Sequence, residues 1–136
     1  MSVKENLQQL TDSLPPEVTL VAVSKTKPAE MVLEAYNTGH RDFGENYVQE
    51  LVEKQKQLPR DIRWHFIGHL QTNKAKQVVG ITELIHGIDS FKLLTEINKQ
   101  SEKINKISQC LLQVYIAQEE TKFGLDENEL KTLINT

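Results

Sequence analysis

The chain has 136 residues, 38% of them hydrophobic, and sets 16 basic against 19 acidic side chains for a formal net charge of −3. That balance excludes the basic footprint of a general nucleic-acid binder, and no apolar run approaches the roughly 20 residues that span a bilayer. A single cysteine, Cys110, precludes an internal disulfide and reads as a small core residue. With no secretory pattern at the amino terminus, these features predict one cytoplasmic domain over residues 1–136, or part of one.

Val3, Leu7, Leu10 and Leu14 recur at helical spacing, and Pro15 and Pro16 stop that helix. Val18 to Val23 is apolar or β-branched without alternation, which predicts a strand covered on both faces. Lys25 closes it. Either the strand has ended and Lys25 reaches solvent, or it projects from the carboxyl end of a parallel strand, where desolvation would free an amine for Schiff-base chemistry. Pro28 opens a helix with the stripe Ala29, Val32, Leu33 and Tyr36, and Gly39 suits its end.

The unit recurs. Arg41 to Glu45 is a second strand, followed by a helix with Tyr47, Val48, Leu51 and Val52 on one side, for which Asn46 reads as the N-cap. Ile62, Trp64 and Phe66 alternate with Arg63, His65 and Ile67 in a third strand, and Gly68 leads to a helix holding Ala75, Val78 and Val79. Glu83 to His86 is the fourth strand, and Asp89 or Ser90 caps a helix carrying Phe91, Leu94 and Ile97. On that helix and just beyond it, Lys92, Lys99, Lys103 and Lys106 interleave with Glu96 and Glu102 as a solvated face. Gln109 to Ile116 is the fifth strand. Asp126 and Glu129 then form a capping box ahead of Leu130, Leu133 and Ile134.

Strand starts near 18, 41, 62, 83 and 109 leave room for one crossover helix per strand, so the sheet is parallel. The first loop, Ser-Lys-Thr-Lys-Pro, lacks the glycines of a dinucleotide fingerprint, which favours a (β/α)8 TIM-barrel type over a doubly wound sheet. Only about five of the eight units of such a barrel are present. Their carboxyl ends gather Ser24-Lys25, Glu45-Asn46, His65 with Gly68, His86 with Gly87, and the 118–124 loop with Lys122. His65, His69 and His86 have neither the spacing nor the carboxylate or thiolate company of a metal site, and none is expected. No P-loop, nucleophile elbow or paired-carboxylate motif occurs.

Five ordered segments carry a specific resemblance: Leu-Val-Ala-Val-Ser-Lys-Thr-Lys-Pro at 20–28, Phe-Gly-Glu-Asn-Tyr-Val-Gln-Glu at 43–50, Trp-His-Phe-Ile-Gly-His-Leu-Gln-Thr-Asn-Lys at 64–74, Ile-His-Gly-Ile-Asp-Ser at 85–90 and Glu-Thr-Lys-Phe-Gly at 120–124. The chain resembles the pyridoxal phosphate homeostasis family, also known as YggS-like or proline synthase co-transcribed proteins. The resemblance implies an alanine racemase amino-terminal barrel that carries pyridoxal 5′-phosphate as a Schiff base on Lys25. It places Asn46 and Lys122 beside the cofactor, and His65, Gly68 and Leu70-Gln71 in a loop closing around its ring.

It also implies a carrier in the vitamin B6 pool without established turnover. The alternative is a racemase-like enzyme, which needs a second base that Tyr36, Tyr47, Tyr115 and Lys122 do not persuasively supply. Family members continue for roughly three more βα units, where barrels of this type commonly hold phosphate. The full-length form is therefore expected to be a monomer, and a chain of five units to self-associate through its open edges.

Overall fold

Capping and apolar spacing fix the helices first. The computed structural model describes residues 2–114, 116 and 124–135. Helix α1 (Val3–Ser13) begins at a reciprocal Ser2–Glu5 capping box and docks through the half-buried Val3 and Leu7. Four βα crossovers follow: β1 (Ala22–Val23) and α2 (Ala29–Tyr36), β2 (Asp42–Glu45) and α3 (Val48–Gln57), β3 (Arg63–Phe66) and α4 (Ala75–Val79), β4 (Leu84–Ile88) and α5 (Phe91–Lys103). A 3-10 turn over Thr72–Lys74 precedes α4, while β5 (Gln109–Leu112) and α6 (Glu127–Ile134) close the order.

All five strands are parallel and lie in the order β1-β2-β3-β4-β5. Each crossover moves one strand sideways in the same direction, as in a barrel; a doubly wound sheet reverses its order at a switch point. Period-two alternation sorts the side chains. Phe43, Trp64, Phe66 and Ile85 are buried against Val32, Leu51, Val78, Leu93 and Ile97 of the helices. The other face carries Val21, His65, His86 and Gln109 and lines an open hollow that corresponds to a barrel interior.

That open face corrects two expectations. The run Val18–Val23 is not a doubly covered strand: only Ala22 and Val23 pair, Val18 is 47% exposed and Val23 54%. β1 is an edge strand and its inner face meets no second layer, so an unbroken apolar run does not report burial here. Helix α5 also turns differently from its expected stripe. Leu93 and Ile97 are buried and Phe91 is largely exposed, because Ser90 caps at Leu93 N–H and fixes where the first turn starts.

Smaller departures have similar causes. β5 ends at Leu112, short of the expected Ile116, and lies at the opposite edge; among the described residues beyond it, Val114 bridges Leu125. Leu10 and Ile134 stand exposed at the outer ends of their helices. The Asp126–Glu129 capping box forms as expected, and Leu133 is the buried member of its helix. Cys110 is half-buried against the core, and burial pushes its thiol pKa up.

Candidate functional site at the carboxyl edge of the sheet

The site begins with register. Val23 pairs with Gly44 and the Ser24 N–H donates to the Gly44 carbonyl at 2.9 Å, so β1 and β2 end side by side, with Lys25 just past the one and Asn46 just past the other. Gly68 lies against Asn46 so closely that a Cβ there would overlap the Asn46 carbonyl oxygen and stand 2.8 Å from its Cα. Only glycine permits that approach. Gly87 repeats the device one strand on, with a Cβ position 3.0 Å from the Gly68 carbonyl oxygen. Asn46, Gly68 and Gly87 thus bring the ends of β2, β3 and β4 together.

Asn46 is not the N-cap expected from sequence. Tyr47 occupies that position, without a side-chain cap, and the Asn46 amide oxygen is buried with no hydrogen-bond partner among the described residues. An orphaned buried amide costs about 1–3 kcal/mol, so it calls for a partner that a bound ligand can supply. Lys25 is exposed, and the apolar enclosure expected around its amine is not furnished by the described residues.

What holds Lys25 is its backbone. The Lys27 N–H donates to the Ser24 carbonyl at 3.1 Å and closes a turn with Lys25 and Thr26 at its corner. Thr26 has φ 63°, a left-handed conformation uncommon for a β-branched residue. Beneath the turn, Lys54 Nζ donates to the Ser24 carbonyl at 2.6 Å, to both Glu45 carboxylate oxygens at 3.2 Å and to Glu50 Oε2 at 3.0 Å. The Ser24 hydroxyl donates to Glu45 Oε2. Burial pushes the Glu45 carboxyl pKa up, against the downward pull of Ser24 and Lys54, and the net direction is up. The Glu50–Lys54 spacing on one helix was the available sequence signal for this cluster, and the sequence reading missed it.

His65 belongs to a second cluster, on the inner face one residue before β3 ends. Its Nε2 lies 3.1 Å from Asp42 Oδ1 and its Nδ1 lies 2.9 Å from His86 Nε2. Asp42 accepts a two-pronged contact from Arg63 at 2.9 and 2.8 Å. Burial works to raise the Asp42 carboxyl pKa, but the bonds and charges of Arg63 and His65 prevail and hold it below the ordinary value. Burial, with the His65 ring beside it, lowers His86. An ionised Asp42 only accepts, so His65 Nε2 carries the hydrogen, and His86 Nε2 donates to His65 Nδ1 when both rings are neutral. His69 pairs instead with Asp89 at 3.0 Å.

The structure therefore brings Asn46 and Gly68 together at the carboxyl edge of the sheet, places Lys25 just past the end of β1 at that same edge, and commits both ring nitrogens of His65 elsewhere. Lys122 and Tyr115 lie outside the described residues. Among the described residues no group of His, Cys, Asp and Glu forms a metal-holding set, and no helix is long and apolar enough to cross a membrane.

A parallel sheet wound one strand at a time, with a lysine and an unpartnered amide at its carboxyl edge, defines a class of barrel protein. Residues 1–136 match the alanine racemase, N-terminal domain family over their whole length, and the chain belongs to that family. Within it, the chain is 42% identical over 125 residues to a protein of Synechocystis sp. named pyridoxal phosphate homeostasis protein, covering 90% of this chain and 57% of that protein.

Among solved structures it is similar to PipY of Synechococcus elongatus PCC7942. The form with PLP bound gives a TM-score of 0.91 at 37% identity, covering 98% of this chain and 63% of PipY; the form without PLP gives 0.94 at 38% identity with the same coverage. An alanine racemase of Clostridium difficile 630, at 11% identity and a TM-score of 0.80, shares the fold over 98% of this chain and 36% of its own. The chain spans about three fifths of the length of the homeostasis protein and of PipY.

Proposed function

We propose that this chain binds pyridoxal 5′-phosphate at the carboxyl edge of its sheet and serves intracellular vitamin B6 homeostasis, with Lys25 as the point of attachment. The observation that carries the reading is the buried amide oxygen of Asn46, unpartnered among the described residues and pressed against Gly68, at the strand edge that Lys25 also flanks. A flat ligand with polar substituents suits that place, since it can offer the hydrogen bond the amide lacks. PipY, similar to this chain over nearly all of it, is a protein whose structure holds PLP.

When bound, pyridoxal 5′-phosphate supplies an aldehyde carbonyl that condenses with a primary amine and releases water. The chain's own residues do the rest. Lys25 offers the amine from a turn whose backbone is tied on both sides. Asn46 gives the ring a polar contact, and Gly68 leaves the backbone surface bare beside it. His65, bonded to Asp42 and His86, supports the sheet beneath; Lys122, outside the described residues, is a further candidate cation for the phosphate. The reading makes residues 1–136 one partial barrel domain, a cytoplasmic carrier without turnover, whose exposed Val23 and Leu111 favour self-association. The longer form is a monomer.

The test is incubation with pyridoxal 5′-phosphate, borohydride reduction and peptide mapping, with Lys25→Ala alongside. A reduced adduct at Lys25, with its visible absorption band absent from the variant, is the expected result. Labelling spread equally over other lysines, or none, would sink the proposal.

A further inference from the structure

Resting on that reading, we infer that Glu50 is a positioning residue for Lys25. Its carboxylate clamps the Thr26 backbone in the left-handed conformation that sets the direction in which the lysine leaves the end of β1. The Thr26 N–H donates to both Glu50 oxygens, at 2.8 and 3.1 Å. On the other flank, the Ser24 carbonyl accepts from Lys54, which also holds Glu50 and Glu45. The peptide units on both sides of Lys25 are therefore fixed by one charged cluster, while its side chain is left free in solvent.

The clamp is needed because Thr26 resists its own conformation. A threonine at φ 63° is strained where a glycine would not be, so without an opposing bond the turn relaxes toward negative φ and swings Lys25 with it. A charge-assisted bond to both oxygens of a carboxylate is strong enough to oppose that. Glu50 in turn is anchored by Lys54, and Lys54 stays buried because Glu45, fully enclosed, compensates its charge. Glu45 and Lys54 thus act through Glu50 and Ser24; neither needs to touch the ligand.

The test uses the whole chain and a double cycle of Glu50→Ala and Thr26→Gly, reading pyridoxal 5′-phosphate affinity from the visible band, adduct position after reduction, and thermal midpoint as a check on folding. Glu50→Ala is expected to weaken binding roughly tenfold when Thr26 is retained, and by less than about threefold in the Thr26→Gly background, since glycine adopts the turn unaided. Glu50→Gln, which keeps one acceptor oxygen, is expected to fall between.

Equal losses in both backgrounds, or no loss at all, would overturn the clamp while leaving the carrier reading intact. Absence of any Lys25 adduct on the unaltered chain would overturn the carrier reading and the clamp's role with it. If Glu50→Ala lowers the thermal midpoint, Thr26→Gly separates the two explanations: rescue of binding without rescue of stability supports positioning, and rescue of neither overturns it.

Discussion

Asn46 and Lys54 are buried polar side chains that call for opposite tests. Replacing Asn46 by Ala removes an amide oxygen that has no partner among the described residues, so stability is expected to stay within about 1 kcal/mol of the parent or improve. Binding of pyridoxal 5′-phosphate is expected to fall about tenfold. A denaturant titration beside a binding titration decides it: an Asn46→Ala chain that unfolds early and binds normally would make Asn46 structural. Lys54 behaves oppositely. Lys54→Met leaves the enclosed Glu45 carboxylate without its cation and is expected to cost about 3–5 kcal/mol in urea unfolding. Paired with Glu45→Gln, the loss is expected to shrink, since no charge is then stranded.

At the scale of elements, caps and periodicity were legible where the signal is local. The Asp126–Glu129 box gives the expected helix, though of its expected stripe only Leu133 is buried, and the alternation of Ile62, Trp64 and Phe66 gives the expected buried face. Asp126→Ala is accordingly expected to cost about 1 kcal/mol, seen as a lower thermal midpoint and faster amide exchange in the first turn of α6.

Where burial depends on what lies across the sheet, sequence misleads. Val18–Val23 is strongly apolar yet mostly unpaired, because it lies at the sheet edge with Val18 and Val23 exposed, and no pattern within the six residues records that. The site divides the same way. That Lys25, Asn46 and Gly68 lie at the carboxyl ends of their strands was legible from the strand pattern. The Glu45–Lys54–Glu50 cluster was not, because a lysine on a helix reads as solvated until the fold places a carboxylate beneath it.

For the molecule as a whole, the histidine pair on the inner face makes stability depend on pH. Burial and the neighbouring His65 ring hold His86 below its ordinary value of 6.5, so the unfolded chain takes up this proton first as pH falls. Its contribution is complete above that value and is lost as pH falls through the lower, folded one. The groups facing the same hollow are Asp42, Arg63, His65 and Glu83. Asp42, also held low, adds a loss of the same sign below its ordinary 3.8. Glu45 acts in reverse: its folded value lies above 4.5, so its contribution is full below that and is lost as pH rises.

The His86 step comes first on acidification from neutrality. The thermal midpoint is therefore expected to drop as pH falls below about 6.5, and the drop to flatten in His86→Gln, which has no proton to gain. The difference between the two curves isolates His86 from Glu45, whose contribution is common to both. Parallel curves would mean that the hollow hydrates the His65–His86 pair well enough for its protonation to cost nothing, and that the open inner face behaves as solvent, not as interior.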